Sequence, residues 1–362
     1  MTPDTGTGAG GHTGSHAGTG AVDVVALGES MVTFLPTRAG RLADVPSFER
    51  GIGGAESNVA CVLARAGHSA RWVGRVGADG FGDHLVEAIT AYGVDTSAVR
   101  RDPGRPTGVY FRTAGDRATD AHEVAYYRAG SAASAMTARN TDLAAARSGR
   151  VLHLSGITAA LSEGCLDLMR ELTAPRAGRP LVSFDVNHRP ALWRGRTEGP
   201  RVLLDLARGA DIVFVGDDEA RDAWGLHGAR AIREALPEPG VLVVKDGGSG
   251  AVMFAGNGGA ADTAVLVSAP QVDVVAAVGA GDAFAAGFLS ATLRGLPARD
   301  RLRHGHLTAA AALTVPGDLA EPPARGLADK LAALDDRAWG TLRLGPGWTE
   351  ADARAAEEVR TP

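Results

Sequence analysis

An apolar run from Val272 to Ala277, broken only by Asp273, leads into Gly279-Ala280-Gly281-Asp282, and a helical pattern leaves it with Phe284 and Phe288 four residues apart. The segment reads as strand, glycine turn and helix start. Gly279 and Gly281 let the backbone turn tightly and let a ligand come close to it. The first-turn amides of the helix lack intrahelical partners, and its dipole adds partial positive charge. That is a site for an anion, best suited to phosphate. Asp282 stands in it, and a carboxylate there is unfavourable unless it has work to do. The obvious work is taking a proton from a hydroxyl that attacks phosphorus. The plainer alternative is that Asp282 caps its helix.

A turn of this kind belongs to a chain in which strands and helices alternate, and this one does so from Val22 onward. The pattern predicts strands at 22–27, 71–76, 151–154, 181–185, 212–215, 241–244 and 272–275, with helices at 58–66 and 82–92 and between most later strands. The expected fold is α/β: a doubly wound, mostly parallel sheet with helices on both faces. Short β-like pieces at 109–111 and 124–127 are too polar for central parallel strands. Residues 31–50 and 107–128 are expected to form a small antiparallel lid over the sheet edge, which would keep water from a phosphoryl transfer. Residues 1–20, rich in Gly, Thr and His, have too little to bury and are read as a disordered tail, His12 and His16 included. The main domain then covers 21–320. Residues 321–362, opening on Pro322-Pro323, are expected to be a helical extension on the surface, with helices near 327–334 and 349–359.

Composition narrows the partners. The 362 residues are 45% apolar and 22% charged, with a net charge of -5, which suits a soluble protein and argues against nucleic acid, since binding a phosphate backbone needs a basic face. No apolar run approaches a membrane span, and no signal peptide is evident, so a cytoplasmic location is expected. The two cysteines, Cys61 and Cys165, lie in apolar helical patterns and read as buried free thiols.

Further polar clusters punctuate the alternation. Gly51-Ile52-Gly53-Gly54-Ala55-Glu56-Ser57-Asn58 opens a helix, with Asn58 able to cap it or to bond a substrate hydroxyl. In Tyr126-Tyr127-Arg128, Tyr126 and Arg128 share a strand face, a pairing that suits a carboxylate and its neighbouring hydroxyls, or simply an edge strand. Asp185-Val186-Asn187-His188-Arg189-Pro190 follows a buried strand, where α/β sheets bind ligands, although the same residues make turns. Gly216-Asp217-Asp218-Glu219 offers acids for Mg²⁺ through water, or a helix cap. Lys245-Asp246-Gly247-Gly248-Ser249-Gly250 reads as a nucleotide-lining loop or a β-hairpin turn before Ala251.

In this order the clusters resemble the ribokinase (PfkB) family of carbohydrate kinases, over roughly residues 22–318. Gly28-Glu29-Ser30-Met31, Pro106-Thr107-Gly108, Tyr126-Tyr127-Arg128, Leu154-Ser155-Gly156-Ile157 and residues 185–193 are most similar to 2-keto-3-deoxygluconate kinases within it. The resemblance implies a ribokinase-like fold and ATP with Mg²⁺. It implies Asp282 as base, with the amides of Gly279, Ala280 and Gly281 holding the transferred group. It implies Gly54, Asn58, Tyr110, Tyr126, Arg128 and Arg189 around a sugar acid, the arginines on its carboxylate. Asn187 and Glu219 would organise phosphates and metal, with Glu219 the metal residue. Lys245, Gly247 and Gly250 would line the ATP site, with His306 near adenine.

Two departures stand out. Ala276 and Ala277 occupy positions where the family often carries an acid that serves a monovalent cation, so K⁺ activation is not expected. Gly216 replaces an Asn. The expected activity is transfer of the γ-phosphoryl of ATP to 2-keto-3-deoxygluconate, giving the 6-phosphate, by a homo-oligomer, dimer or higher. A broader sugar kinase, fructokinase- or ribokinase-like, and a non-catalytic sugar- or nucleotide-binding regulator are the alternatives.

Overall fold

In the computed structural model, which describes residues 21–38, 40–113, 123–195, 199–256 and 262–350, the main sheet has eight strands. Their order is Thr263–Val267, Gly250–Ala255, Val241–Asp246, Ile212–Gly216, Leu181–Asp185, Gly149–Ser155, Val22–Leu27 and Ala70–Val73. The last six run parallel, and a hairpin adds two antiparallel strands at one edge. The expected tail at 1–20 and all but the start of the expected helix at 349–359 lie outside the described residues.

Helices cover both faces, which is why the central strands are apolar at consecutive positions rather than alternate ones. Val25, Leu152, Phe184 and Val213 pack on one face against Met169, Leu203 and Leu206. Their neighbours Val24, Val151, Phe214 and Val243 pack on the other against Phe284, Phe288, Leu302 and Leu307. Phe284 and Phe288, the pair that marked the helix after the glycine turn, both meet Phe214 edge-on. Cys61 and Cys165 are free and buried, as expected.

Four expectations change. The run 272–275 is not a strand of the main sheet. Only Gln271–Val272 is extended, paired in parallel with Arg343–Leu344, while Val274 and Val275 are exposed. The hairpin occupies the sheet edge, and the chain crosses from there to the glycine turn held by hydrogen bonds from Val275 and Ala276 to the Leu313 carbonyl. The strand expected at 71–76 breaks at Gly74, where a Cβ would lie 2.6 Å from the Trp72 ring. Beyond it, Arg75–Gly77 pairs with Arg100–Asp102 instead.

The small sheet exists, in the order Phe48–Gly53, Met31–Pro36, Val109–Arg112, Val124–Tyr127. Its outer pairings are antiparallel, but the inner pair is parallel rather than antiparallel, because the chain travels through the main sheet between those two strands. The C-terminal segment is likewise no surface appendage. In helices Arg325–Ala332 and Asp336–Gly340, the residues Ala328, Ala332 and Trp339 are buried in the core. Trp339 donates its indole N–H to the Ser268 carbonyl at 2.8 Å, and the Arg303 guanidinium lies 4.6 Å over its ring.

Trp339→Ala should therefore destabilise the protein by about 3–5 kcal/mol, seen as a lower urea midpoint. A peripheral extension would leave the midpoint unchanged.

Candidate active site

The parallel strands end together, and their carboxyl ends are where α/β sheets bind ligands. Glu29, Ser155, Asp185, Gly216 and Lys245 lie at or just beyond five such ends. Helix Ala280–Leu293 points its N-terminus at them. Gly279 is its N-cap with φ of 71°, and no side chain caps it. A Cβ at Gly279 would lie 2.1 Å from the Asp318 carbonyl oxygen, so glycine is required by conformation and by contact. Asp282 does not cap the helix; it sits half-buried in the first turn. Asn58, from helix Ala55–Arg65, donates its amide N–H to Asp282 Oδ2 at 2.8 Å. Burial pushes the Asp282 carboxyl up to about 7, with the charge of Asp185 adding to it and the Asn58 bond working against it.

The cations of the cleft all have carboxylate partners. Lys245 Nζ lies 3.1 and 3.3 Å from the two oxygens of buried Asp185. A Cβ on Gly281 would be 3.6 Å from that ammonium, so Lys245 faces the glycine turn rather than the exposed hairpin turn next to it. Burial works against its charge, but Asp185 and Glu219 outweigh burial and raise its pKa, so it stays protonated. Arg189 meets Glu219 Oε1 at 3.2 Å, and Glu219 Oε2 accepts from the Gly216 amide at 3.0 Å in a capping arrangement. Burial pushes the Glu219 carboxyl upward. Arg128 donates to Glu29, whose other oxygen takes the Ser131 hydroxyl at 2.7 Å. Asp318 accepts from the Tyr110 hydroxyl and, at 2.8 Å, from Arg112. Burial first and Asp318's charge second raise the Tyr110 phenol.

The structure thus gathers Asn58, Asp185, Lys245 and Asp282 at the turn, with Arg189 and Glu219 beside them. Tyr110, Tyr126 and Arg128 stand together on the small sheet, the tyrosine rings 5.4 Å apart and the Arg128 guanidinium 5.7 Å over Tyr126. Asn187 adopts a φ of 41°, rare for a residue other than glycine, and its buried Oδ1 has no partner. Gly54 and Gly250 answer to packing: a Cβ would strike the Glu29 carbonyl at 2.5 Å or the Val267 carbonyl at 2.3 Å. Gly247, with φ of 47°, makes the exposed hairpin turn.

His306 is not brought to the cleft. It is buried in the core, edge-on to Phe284 and hydrogen-bonded to the Val267 carbonyl at 3.2 Å. Its helical position on an apolar face was the available warning.

Sequence reasoning assigned no role to Glu29, Arg112, Asp185 or Asp318. Asp185 ends one buried strand and Glu29 lies two residues past another, a signal that was available. Asp318 follows only a Pro-Gly turn, and nothing local shows that it faces Tyr110 and Arg112. Glu56 is a further buried acid, fully enclosed, taking the Thr158 hydroxyl at 2.6 Å and pushed by burial up to about 8.

The model for pfkB family carbohydrate kinases matches residues 21–325, and the chain belongs to that family: it is an ATP-dependent sugar kinase. Among similar proteins is the 2-dehydro-3-deoxygluconokinase of Bacillus subtilis (strain 168), 34% identical over 86% of this chain and 95% of that protein. The enzyme of the same name from Thermoproteus tenax is 33% identical over 86% and 94%. Fructokinase-1 of Oryza sativa subsp. japonica is 32% identical over 74% and 81%. The crystal structure of the Thermotoga maritima 2-dehydro-3-deoxygluconokinase aligns with a TM-score of 0.74 at 25% identity, covering 86% of this chain and all of that one. An uncharacterized Pyrococcus horikoshii sugar kinase in complex with ATP aligns at 0.73 and 25%, covering 87% and 99%.

If Asp282, with its pKa near 7, acts as a base, it works only when ionised, and kcat should rise with pH to a plateau above that value. In Asn58→Ala, loss of the donor that favours the carboxylate should move this limb to higher pH, measured as the pH profile of kcat; an unmoved limb would separate Asn58 from the base. Glu56 holds its proton in the folded protein through a range where the unfolded chain has lost it. Wild-type stability should thus fall as pH rises from about 4.5 to about 8, and Glu56→Gln should flatten that slope in urea melts.

Proposed function

We propose that this kinase transfers the γ-phosphoryl group of ATP to the terminal hydroxyl of 2-keto-3-deoxygluconate, giving the 6-phosphate. The observation that carries the reading is Asp282. It is a carboxyl with a pKa of about 7, fixed by Asn58 at an uncapped helix N-terminus beside a lysine. The sugar hydroxyl oxygen attacks phosphorus as its proton passes to Asp282; the new O–P bond forms while the bond to the ADP oxygen breaks. The amides of Gly279, Ala280 and Gly281 donate to the equatorial oxygens, where charge develops, and Lys245 adds a fixed positive charge next to them.

On the sugar side we place Gly54, Asn58, Tyr110, Tyr126 and Arg128. Arg128 supports an acid substrate: Glu29 occupies one of its nitrogens, while its buried Nε has no partner, and an unsatisfied buried donor is costly until a ligand fills it. Arg189, half exposed and paired with Glu219, is assigned to the rim of the same site. The small sheet carrying Tyr110, Tyr126 and Arg128 would act as the lid.

On the nucleotide side stand Asn187, Lys245, Gly247 and Gly250. Mg²⁺ commonly keeps several waters and binds through one or two protein oxygens plus phosphates. The unpartnered Oδ1 of Asn187 and the carboxylate of Glu219 fit that demand, although no cluster of three or more His, Cys, Asp or Glu among the described residues could hold a metal alone. Bound there, the ion would offset charge on the phosphates.

A homo-oligomer working in the cytoplasm completes the proposal. The outer strand of the small sheet leaves Val124, Tyr126 and Tyr127 exposed, the kind of edge that pairs with another copy. A broader sugar kinase is the second reading. The specific observation in its favour is that Arg112, Arg128 and Arg189 each already face a carboxylate.

Asp282→Asn should lower kcat by about 10²–10⁴-fold with little change in sugar binding; near-normal turnover would remove Asp282 from the role of base. Arg128→Ala should weaken kcat/KM for the keto-acid by roughly 2–5 kcal/mol and change fructose far less. Equal losses on both substrates would select the broader kinase.

A further inference from the structure

Helices Ala55–Arg65 and Ala280–Leu293 pack side by side. Near their N-termini they are joined by the Asn58–Asp282 bond. At their other ends they border a cavity of about 330 Å³ whose lining includes Arg65, Arg294, His304, Pro323 and Arg325. Asn58 and Arg65 are seven residues apart on one helix, about 10 Å along its axis, so this cavity is distinct from the catalytic cleft.

Three guanidinium groups border the cavity, and two carboxylates face them. Arg294 is held by Asp329, one guanidinium nitrogen meeting both carboxylate oxygens at 2.8 Å. Arg65 meets Glu321 at only 3.4 Å, with both side chains well exposed, and its other contacts are neutral: the Ala91 carbonyl at 3.4 Å and the Tyr92 ring at 5.1 Å. Arg325 donates to the Ala66 carbonyl at 3.2 Å, a neutral partner. The surplus positive charge is felt by two histidines nearby, the half-buried His68 and the buried His304. Burial disfavours the protonated forms of His68 and His304, and Arg294 disfavours both further, against the opposing charges of Asp23 on His68 and of Asp329 and Asp300 on His304. Arg325 and Arg150 also act on His68.

We propose that this cavity is a second anion site, which takes a phosphate group through Arg65 and Arg325 and reports its occupancy to the catalytic turn. An exposed ion pair such as Arg65–Glu321 is weak, and an incoming phosphate displaces Glu321 from it. Glu321 belongs to a short strap, residues 316–325. At one end of the strap the Asp318 carbonyl packs against Gly279, while the Asp318 side chain holds Tyr110 and Arg112. At the other end Pro322, Pro323 and Arg325 line the cavity. The eight residues 318–325 therefore join the cavity to both the glycine turn and the small sheet. The ligand class is a small phosphate or phosphate monoester.

The test has a binding arm and a kinetic arm, both on the full chain at constant ionic strength. Inorganic phosphate at ten times its dissociation constant should raise the melting temperature of the wild type by about 2 °C or more. Arg65→Ala/Arg325→Ala should lose that shift, and Arg65→Lys/Arg325→Lys should keep it. Asp282→Asn should also keep it, which places the ion outside the catalytic turn whether or not the assigned sugar is right. Glucose 6-phosphate in a parallel titration distinguishes a sugar ester from free phosphate as the better ligand. In the kinetic arm, phosphate should change the sugar KM saturably in the wild type and leave the alanine pair unresponsive, with the pair's basal kcat within twofold of wild type. A shift equal in wild type and alanine pair would place the ion in the nucleotide site and overturn the proposal. So would the absence of any saturable shift with either probe, or binding in the wild type with no change in KM.

Discussion

The bond from Asn58 to Asp282 joins two helices at the point where we propose that the phosphoryl group is transferred. An aspartate beside a phosphate-binding turn is repelled by the ligand it serves, and burial makes its charge still costlier. The structure answers with one donor, Asn58, and two cations held by other carboxylates, Arg189 and Lys245, rather than with a full ion pair. A direct arginine partner would hold the carboxylate ionised but would make it a poor proton acceptor. The arrangement found leaves the group near neutrality, where proton transfer in either direction is accessible.

Charge compensation governs the rest of the cleft in the same way. Lys245 with Asp185, Arg128 with Glu29, Arg112 with Asp318 and Arg189 with Glu219 form four pairs around one site. Such pairs add little net stability: desolvation offsets the attraction of the three buried ones, and solvent screens the half-exposed Arg189–Glu219 pair. Their value is placement. Each carboxylate fixes a long cation in one orientation while leaving further donors for a ligand. Asp318 also ties the small sheet to the backbone of the glycine turn, through Tyr110 and Arg112 on one side and Gly279 on the other.

Legibility in the sequence followed the range of the interactions. The strands at 22–27 and 181–185 were readable because burial on both faces writes continuous apolar runs. The helix after Gly279 was readable from Phe284 and Phe288. The run at 272–275 carried the same apolar signal and failed, because no position in the main sheet was left beside it. His306 failed for a related reason: a histidine at a buried helical position looks the same locally whether it faces a ligand or the Val267 carbonyl. Glu29 and Asp318 went unassigned because their partners lie about 100 and 200 residues away, beyond any local pattern.

By itself the sequence determined the α/β alternation, the glycine turn that opens a helix, and Asp282 as the acid in its first turn. These depend on backbone conformation and on periodicity, which neighbouring residues control. Only the tertiary structure decided how that acid is tuned, since its pKa depends on burial and on Asn58, Asp185, Arg189 and Lys245 arriving from other parts of the chain. The same holds for the arginines. Their number was written in the chain, but whether each stands free or paired was settled by which carboxylates the fold brought within reach.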